Sequence, residues 1–263
     1  MCLIVFAFKA HPDYRLVLAA NRDEFHSRPA EPMHWWPDPP ELPAGELLAG
    51  RDLQAGGTWL GVGRSGRFAA VTNYREELEK DHRGRSRGEL VTGFVVGRET
   101  ALSWCGGLSP GDFRGFSLLT ADADEMVYVS NRGDSARRLE PGIYGLSNAS
   151  LDTPWTKVVR GKKALQAVIE QGPVEAEPLF RLLGDREPGA SDDYASTGLP
   201  PDMARAISAP FIATREYGTR CSTVLLWARS GRVEIQERRF DSAGRDAGDS
   251  RFEFTTGRVS RRS

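Results

Sequence analysis

The chain has 263 residues, with 35 basic and 36 acidic side chains and a net charge of −1, so its bulk charge implies neither nucleic acid nor a membrane surface. Cys2, Cys105 and Cys221 follow no framework spacing, and His11, His26, His34 and His82 form no ligand-like pair, which argues against a disulfide scaffold and a structural metal. No stretch approaches the ~20 apolar residues of a spanning helix, and the apolar start lacks a basic n-region; a reducing cytoplasm is the expected compartment.

Met1-Cys2 opens the chain. Cys2 is small, so removal of the initiator methionine is expected. Its thiol and freed α-amine would then titrate close together, at about 8.5 and about 7.7 to 8.0, and the amine can serve the thiol as base. The six residues Leu3–Phe8 are all apolar, the pattern of a strand buried on both faces. Two readings stand here: an ordinary first strand, or a strand that holds a nucleophile.

A second apolar run, Leu16-Val17-Leu18-Ala19-Ala20, follows the turn His11-Pro12-Asp13 and predicts an antiparallel hairpin. It breaks into Asn21-Arg22-Asp23-Glu24, read either as a solvated loop or as a polar cluster returned beside Cys2. Residues 27–45 are proline-rich and predict a long surface loop, with Trp35 and Trp36 either covering an apolar ligand or, the favoured reading, anchoring the loop on the core. A glycine-rich turn leads through Trp59 into a hairpin whose second strand ends at Asn73. Residues 80–87 read as a basic, solvated loop, and 89–96 as a helix. Strands follow at 116–120, 126–130 and 142–148, the last ending in Asn148. Asp152-Thr153-Pro154-Trp155 predicts a helix start with proline in the first turn. That helix runs to Gly172, and another covers 174–183. Residues 184–209 read as a loop or insert. The final strands are 221–227, preceded by Arg220, then 232–238 and 251–254; 258–263 is a frayed tail. The order of elements predicts one α+β domain over 1–263 with a mostly antiparallel sheet system.

Six motifs occur in order: Asn21-Arg22-Asp23-Glu24-Phe25, Gly56-Gly57-Thr58-Trp59-Leu60-Gly61, Thr72-Asn73-Tyr74, Arg87-Gly88-Glu89-Leu90-Val91, Leu146-Ser147-Asn148-Ala149 with Thr153-Pro154-Trp155, and Tyr217-Gly218-Thr219-Arg220. The set resembles the NRDE family, also called the transport and Golgi organisation protein 2 family, which has been linked to haem trafficking and to lipid or acyl-CoA metabolism. More distantly, Met-Cys with Asn-x-Asp after the second strand resembles cysteine-type N-terminal nucleophile hydrolases, which cleave linear amides. That resemblance implies a four-layer αββα sandwich of two mostly antiparallel sheets. It also implies Cys2 as nucleophile, Asp23 holding the α-amine, Asn148 in the oxyanion hole and Arg220 in support, with Asn73 as a second asparagine. One departure stands out: the hydrolases' Arg-Asn-x-Asp is Ala20-Asn21-Arg22-Asp23 here, with the arginine displaced by two positions.

The expected catalytic set is therefore Cys2, Asp23, Arg22, Asn148 and Arg220, with Asn21, Asn73 and Trp59 binding substrate or the oxyanion. Arg22 and Arg220 are expected to depress the Cys2 thiol pKa. The expected activity is cleavage of a non-peptide C–N bond in a small amide or acyl substrate, with no metal, cofactor, nucleic acid or membrane span. The alternatives are a non-catalytic carrier of haem or an acyl lipid on the same fold, and a protein-interaction domain.

Overall fold

The computed structural model describes residues 2–38, 43–75, 84–190, 193 and 199–257. The expected tail at 258–263 lies outside these residues, as do parts of the expected loops at 80–87 and 184–209. The chain forms two compact units, each built on one sheet.

The first unit comprises 1–28, 141–229 and 234–252. Its sheet takes the order β10-β1-β2-β11-β12-β13, where β1 is Leu3–Phe8, β2 Tyr14–Phe25, β10 Gly142–Leu146, β11 Tyr217–Ala228, β12 Arg232–Phe240 and β13 Asp246–Thr255. β1 lies between β10 and β2, antiparallel to both, so the chain start is an interior strand. All six β1 residues are buried, which is why the run is apolar without alternation. Leu3, Val5 and Ala7 share a core with Val17 and Ala19 of β2 and with Val158, Leu165, Leu179 and Leu183 of two helices. These are α3 (Thr156–Glu170) and α4 (Ala176–Leu183). α3 approaches β1 at Gly161, where a Cβ would stand 2.9 Å from Val5 Cγ1.

The second unit, 29–140 with 230–233 and 253–263, is a seven-stranded meander, β3 to β9 in chain order. Its strands are β3 Ala30–Trp35, β4 Leu47–Asp52, β5 Leu60–Gly63, β6 Phe68–Asn73, β7 Phe116–Ala121, β8 Met126–Ser130 and β9 Arg137–Arg138. Leu90, Val91, Phe94 and Val95 of α1 (Gly88–Val96) pack on it, with Ala101 and Cys105 of α2 (Ala101–Gly106). The motifs Gly56-Gly57-Thr58 and Arg87-Gly88 meet here. A Cβ on Gly57 would stand 2.7 Å from the Gly88 carbonyl carbon, and one on Gly88 2.9 Å from the Thr58 nitrogen.

Several sequence expectations need correction. Residues 27–45 are not one long loop: β3 crosses them. Trp36 is fully buried, with its indole N–H donated to Ala49 O at 3.0 Å, and Trp35 is clamped between Arg64 and Phe254. β3 and β4 escape a pattern reading because Pro32, Gly50 and Arg51 interrupt their apolar runs. Asn21-Arg22-Asp23 is not a loop either; β2 continues through it. The third helix begins at Thr156, not Asp152. Asp152 holds a left-handed φ of 61° and spends Oδ1 on Gly145 N–H and Lys162 Nζ. Cys105 is buried against Thr120.

Gly57→Ala forces a methyl against backbone that cannot yield, and should cost about 1–3 kcal/mol in urea unfolding. Gly106→Ala has no atom within 4 Å of the added Cβ and should change stability by less than about 0.5 kcal/mol.

Candidate active site

β1 and β2 pair with Leu3 opposite Asn21 and Ile4 opposite Ala20. Extending that register by one residue sets Cys2, which precedes β1, level with Arg22, whose charge acts on the thiol. Strand side chains alternate between faces, and directly opposed residues share one. Cys2, Ile4, Ala20 and Arg22 therefore occupy one face, and Leu3, Asn21 and Asp23 the other, towards α3 and α4. On the other side β10 ends at Leu146, opposite Ile4, and Asn148 lies two residues beyond it, next to Ser147, whose hydroxyl reaches the Cys2 carbonyl. Positions 20 and 22 differ by one pleat period, so both take this face. Arg22 stays on the thiol face and moves one step closer to Cys2.

β11 runs along the other side of β2, with Thr219 opposite Asp23 and Cys221 opposite Arg22. Between them the register slips, leaving Arg220 as the extra residue of a β-bulge, a device that re-aims a side chain. Its Nη1 donates to Phe25 O at 2.9 Å and Arg28 O at 3.0 Å. Arg220 thus clamps the turn after β2, and that is where the structure places its charge.

Asp23 is 5% exposed. Its Oδ1 accepts from Thr219 Oγ1 at 2.7 Å, and Thr219 Oγ1 in turn accepts from Ile212 N–H at 2.9 Å. Burial pushes the carboxyl pKa up, while Lys157 and the Thr219 hydrogen bond pull it down. Lys157 is 1% exposed and donates to Ile207 O at 3.2 Å. Asn21, expected to touch substrate, has both amide donations committed to protein: Leu183 O and Pro210 O, each at 2.9 Å. Its Oδ1 accepts from Ser222 at 2.6 Å. Lys157, Asn21 and Thr219 together serve the buried backbone of 207–212, which a strand ladder would otherwise satisfy.

Cys2 is half-buried. Its Sγ lies 3.9 Å from Asp23 O as donor, and its own carbonyl accepts from Ser147 Oγ at 2.7 Å. Asn148, also buried, comes next after Ser147. The expectation of a depressed thiol pKa is corrected: burial raises it, Asp23 adds to the rise, and the lowering by Arg22 does not prevail. Burial likewise raises Cys105, to about 11, and lifts Cys221 well above its ordinary value.

Trp59 and Asn73 belong to the second unit. The Trp59 ring covers Gly50, leaving no room for a Cβ there. Asn73 is exposed at the end of β6, opposite Phe116. Lys157, Ser147, Thr219 and Tyr217 were not assigned from sequence. Lys157 had a signal: it shares the buried stripe of Gly161, Leu165 and Ile169 on α3, at the spacing of one helix face. No group of three or more His, Cys, Asp or Glu suited to a metal occurs among the described residues, nor does any helix long and apolar enough to cross a membrane.

The family model described as Transport and Golgi organisation 2 matches residues 1–242. The chain belongs to the Transport and Golgi organisation 2 family. Relatives include the Transport and Golgi organization protein 2 homolog of Bos taurus, 37% identical and covering 97% of this chain and 98% of its own. The Homo sapiens homolog is 36% identical, covering 90% and 92%. Among solved structures, this family member resembles a Caenorhabditis elegans N-acylethanolamine-hydrolyzing acid amidase ortholog (TM-score 0.53, 10% identity, 86% and 92% covered). It also resembles the C2A mutant of conjugated bile acid hydrolase from Clostridium perfringens (TM-score 0.51, 8% identity, 98% and 97% covered). These likenesses show the fold: the α+β, N-terminal nucleophile hydrolase-like class expected from the sequence.

Asn21→Ala removes both donations to the buried carbonyls and should cost about 2–4 kcal/mol in denaturant unfolding. Asp23 has a folded-state pKa above its unfolded one. Its ionisation therefore opposes folding as pH rises from about 4, where the unfolded carboxyl loses its proton first. Asp23→Asn should gain stability relative to wild type between about pH 4 and neutrality, as melting series across pH will read. In a short iodoacetamide pulse, half-buried Cys2 should label ahead of buried Cys105 and Cys221, by peptide mapping.

Proposed function

We propose that this protein is a cysteine amidohydrolase that cleaves a non-peptide amide through an acyl-enzyme on Cys2. The observation that carries the reading is the contact of Cys2 Sγ with Asp23 O at 3.9 Å, just past the Leu3–Asn21 end of the β1–β2 ladder. Support comes from the fold, shared with proteins named as an acid amidase and a bile acid hydrolase.

After removal of Met1 the α-amine belongs to Cys2, on the side of the residue that runs towards Asp23. The amine takes the thiol proton, directly or through one water, and Asp23, held by Thr219, orients it. The sulfur attacks the substrate carbonyl, with Asn148 donating to the developing oxyanion. Collapse forms the thioester, and the leaving amine departs with the proton. Water then attacks the thioester, releasing a carboxylic acid and restoring the thiol. Arg22, on the thiol face, favours the anionic sulfur against the cost of burial.

A screen of N-acyl amino acids, acyl amides and β-lactams against wild type and Cys2→Ala tests this. Turnover should appear in wild type and vanish in Cys2→Ala. Asn148→Ala should lose about 100-fold in kcat. Intact mass should show a chain beginning at Cys2. Full retention of Met1 would end the reading, and a visible haem spectrum without turnover would favour a carrier.

A further inference from the structure

We propose that Tyr217 is a catalytic residue of this site, donating its hydroxyl hydrogen bond to the Cys2 sulfur once the thiol has ionised. The inference rests on the amidohydrolase reading and adds a residue to it. Tyr217 Oη donates to Asp23 O at 3.2 Å, the same oxygen to which Cys2 Sγ points from 3.9 Å. One carbonyl oxygen with two lone pairs thus gathers the phenol and the thiol as neighbours.

Ionisation changes this arrangement. The thiol proton passes to the α-amine and the electron pair stays on sulfur. The S–H donation to Asp23 O is then lost, and an anion faces the negative end of a carbonyl. The phenol is a neighbouring group that can relieve this, by turning its O–H from the carbonyl oxygen to the sulfur; a hydrogen bond to a charged acceptor is the stronger of the two. The ring is held at a strand end. Tyr217 lies opposite Phe25 at the end of the β2–β11 ladder, and the rings meet edge to face at 5.2 Å and 78°. The other groups acting on the sulfur are Arg22 and Asp23 of β2, Cys221 of β11 and the α-amine. Arg22 supplies charge, while Tyr217 supplies a neutral donor already bound to the Asp23 carbonyl.

Tyr217→Phe removes only the hydroxyl and keeps the ring on Phe25. The test is the pH profile of Cys2 alkylation by iodoacetamide, read by peptide mapping on processed wild-type and Tyr217→Phe protein. The variant's curve should move to higher pH, with labelling about tenfold slower near pH ~7 and converging on wild type where both thiols are ionised. Cys105 and Cys221 should label as in wild type. A hydroxyl that merely ties β11 to β2 would lower the melting temperature and leave the profile in place, and superimposable profiles overturn the inference while sparing the amidohydrolase reading. A processed wild type whose Cys2 does not react at all overturns both.

Discussion

The site depends on one constraint, the two-residue pleat of β2. Asn21, Arg22 and Asp23 are consecutive, so β2 must send them to alternating faces. Arg22 comes to the side of Cys2, and Asn21 and Asp23 come to the helix side. A loop would impose no such alternation. β1 is held between β2 and β10, and Ser147 pins the carbonyl of Cys2 just ahead of it.

Placing ionisable groups in such a setting has a cost. Arg22, Asp23, Lys157 and Glu237 are all less than a tenth exposed, and a buried charge without compensation costs several kcal/mol. Compensation is partly mutual, since Lys157 opposes the burial of Asp23. It is also partly structural. The polar groups that surround Asp23 double as partners for the irregular backbone at 207–212: Lys157 to Ile207 O, Asn21 to Pro210 O, Thr219 to Ile212 N–H. Site and scaffold are one network, so the most polar residues of the NRDE motif are also among the most important for packing. That separates two meanings of a motif. Asn21 and Arg220 are as much a part of the pattern as Cys2, yet their hydrogen bonds are made to the protein's own carbonyls.

Much of the fold was legible because local chemistry agreed with tertiary placement. The β1–β2 hairpin, the β5–β6 hairpin, α1 and the long apolar β11 announce themselves through uninterrupted or periodic burial. β3 and β4 did not, since proline, glycine and arginine interrupt them and their support comes from Trp36, Leu47 and Ala49 in a shared core. The start of α3 was misplaced for a local reason: Asp152 resembles a helix cap in sequence, but its side chain reaches back to Gly145 and across to Lys162.

For the site, the sequence alone determined the nucleophile candidate, the polar cluster in the second strand and the family pattern, because an N-terminal thiol and a break from apolar to charged residues are local facts. It could also have pointed to Lys157, a charge on an apolar helix stripe. Which face each residue of the cluster takes was decided by β-ladder register. The β11 bulge decided that Arg220 turns to the Phe25–Arg28 backbone. The meeting of Tyr217 and Cys2 on the Asp23 carbonyl, across more than two hundred positions of chain, was likewise a tertiary decision. So was the balance at the thiol, where burial outweighs a neighbouring arginine. Charge can be counted in a sequence, whereas desolvation exists only once the chain has folded around the group.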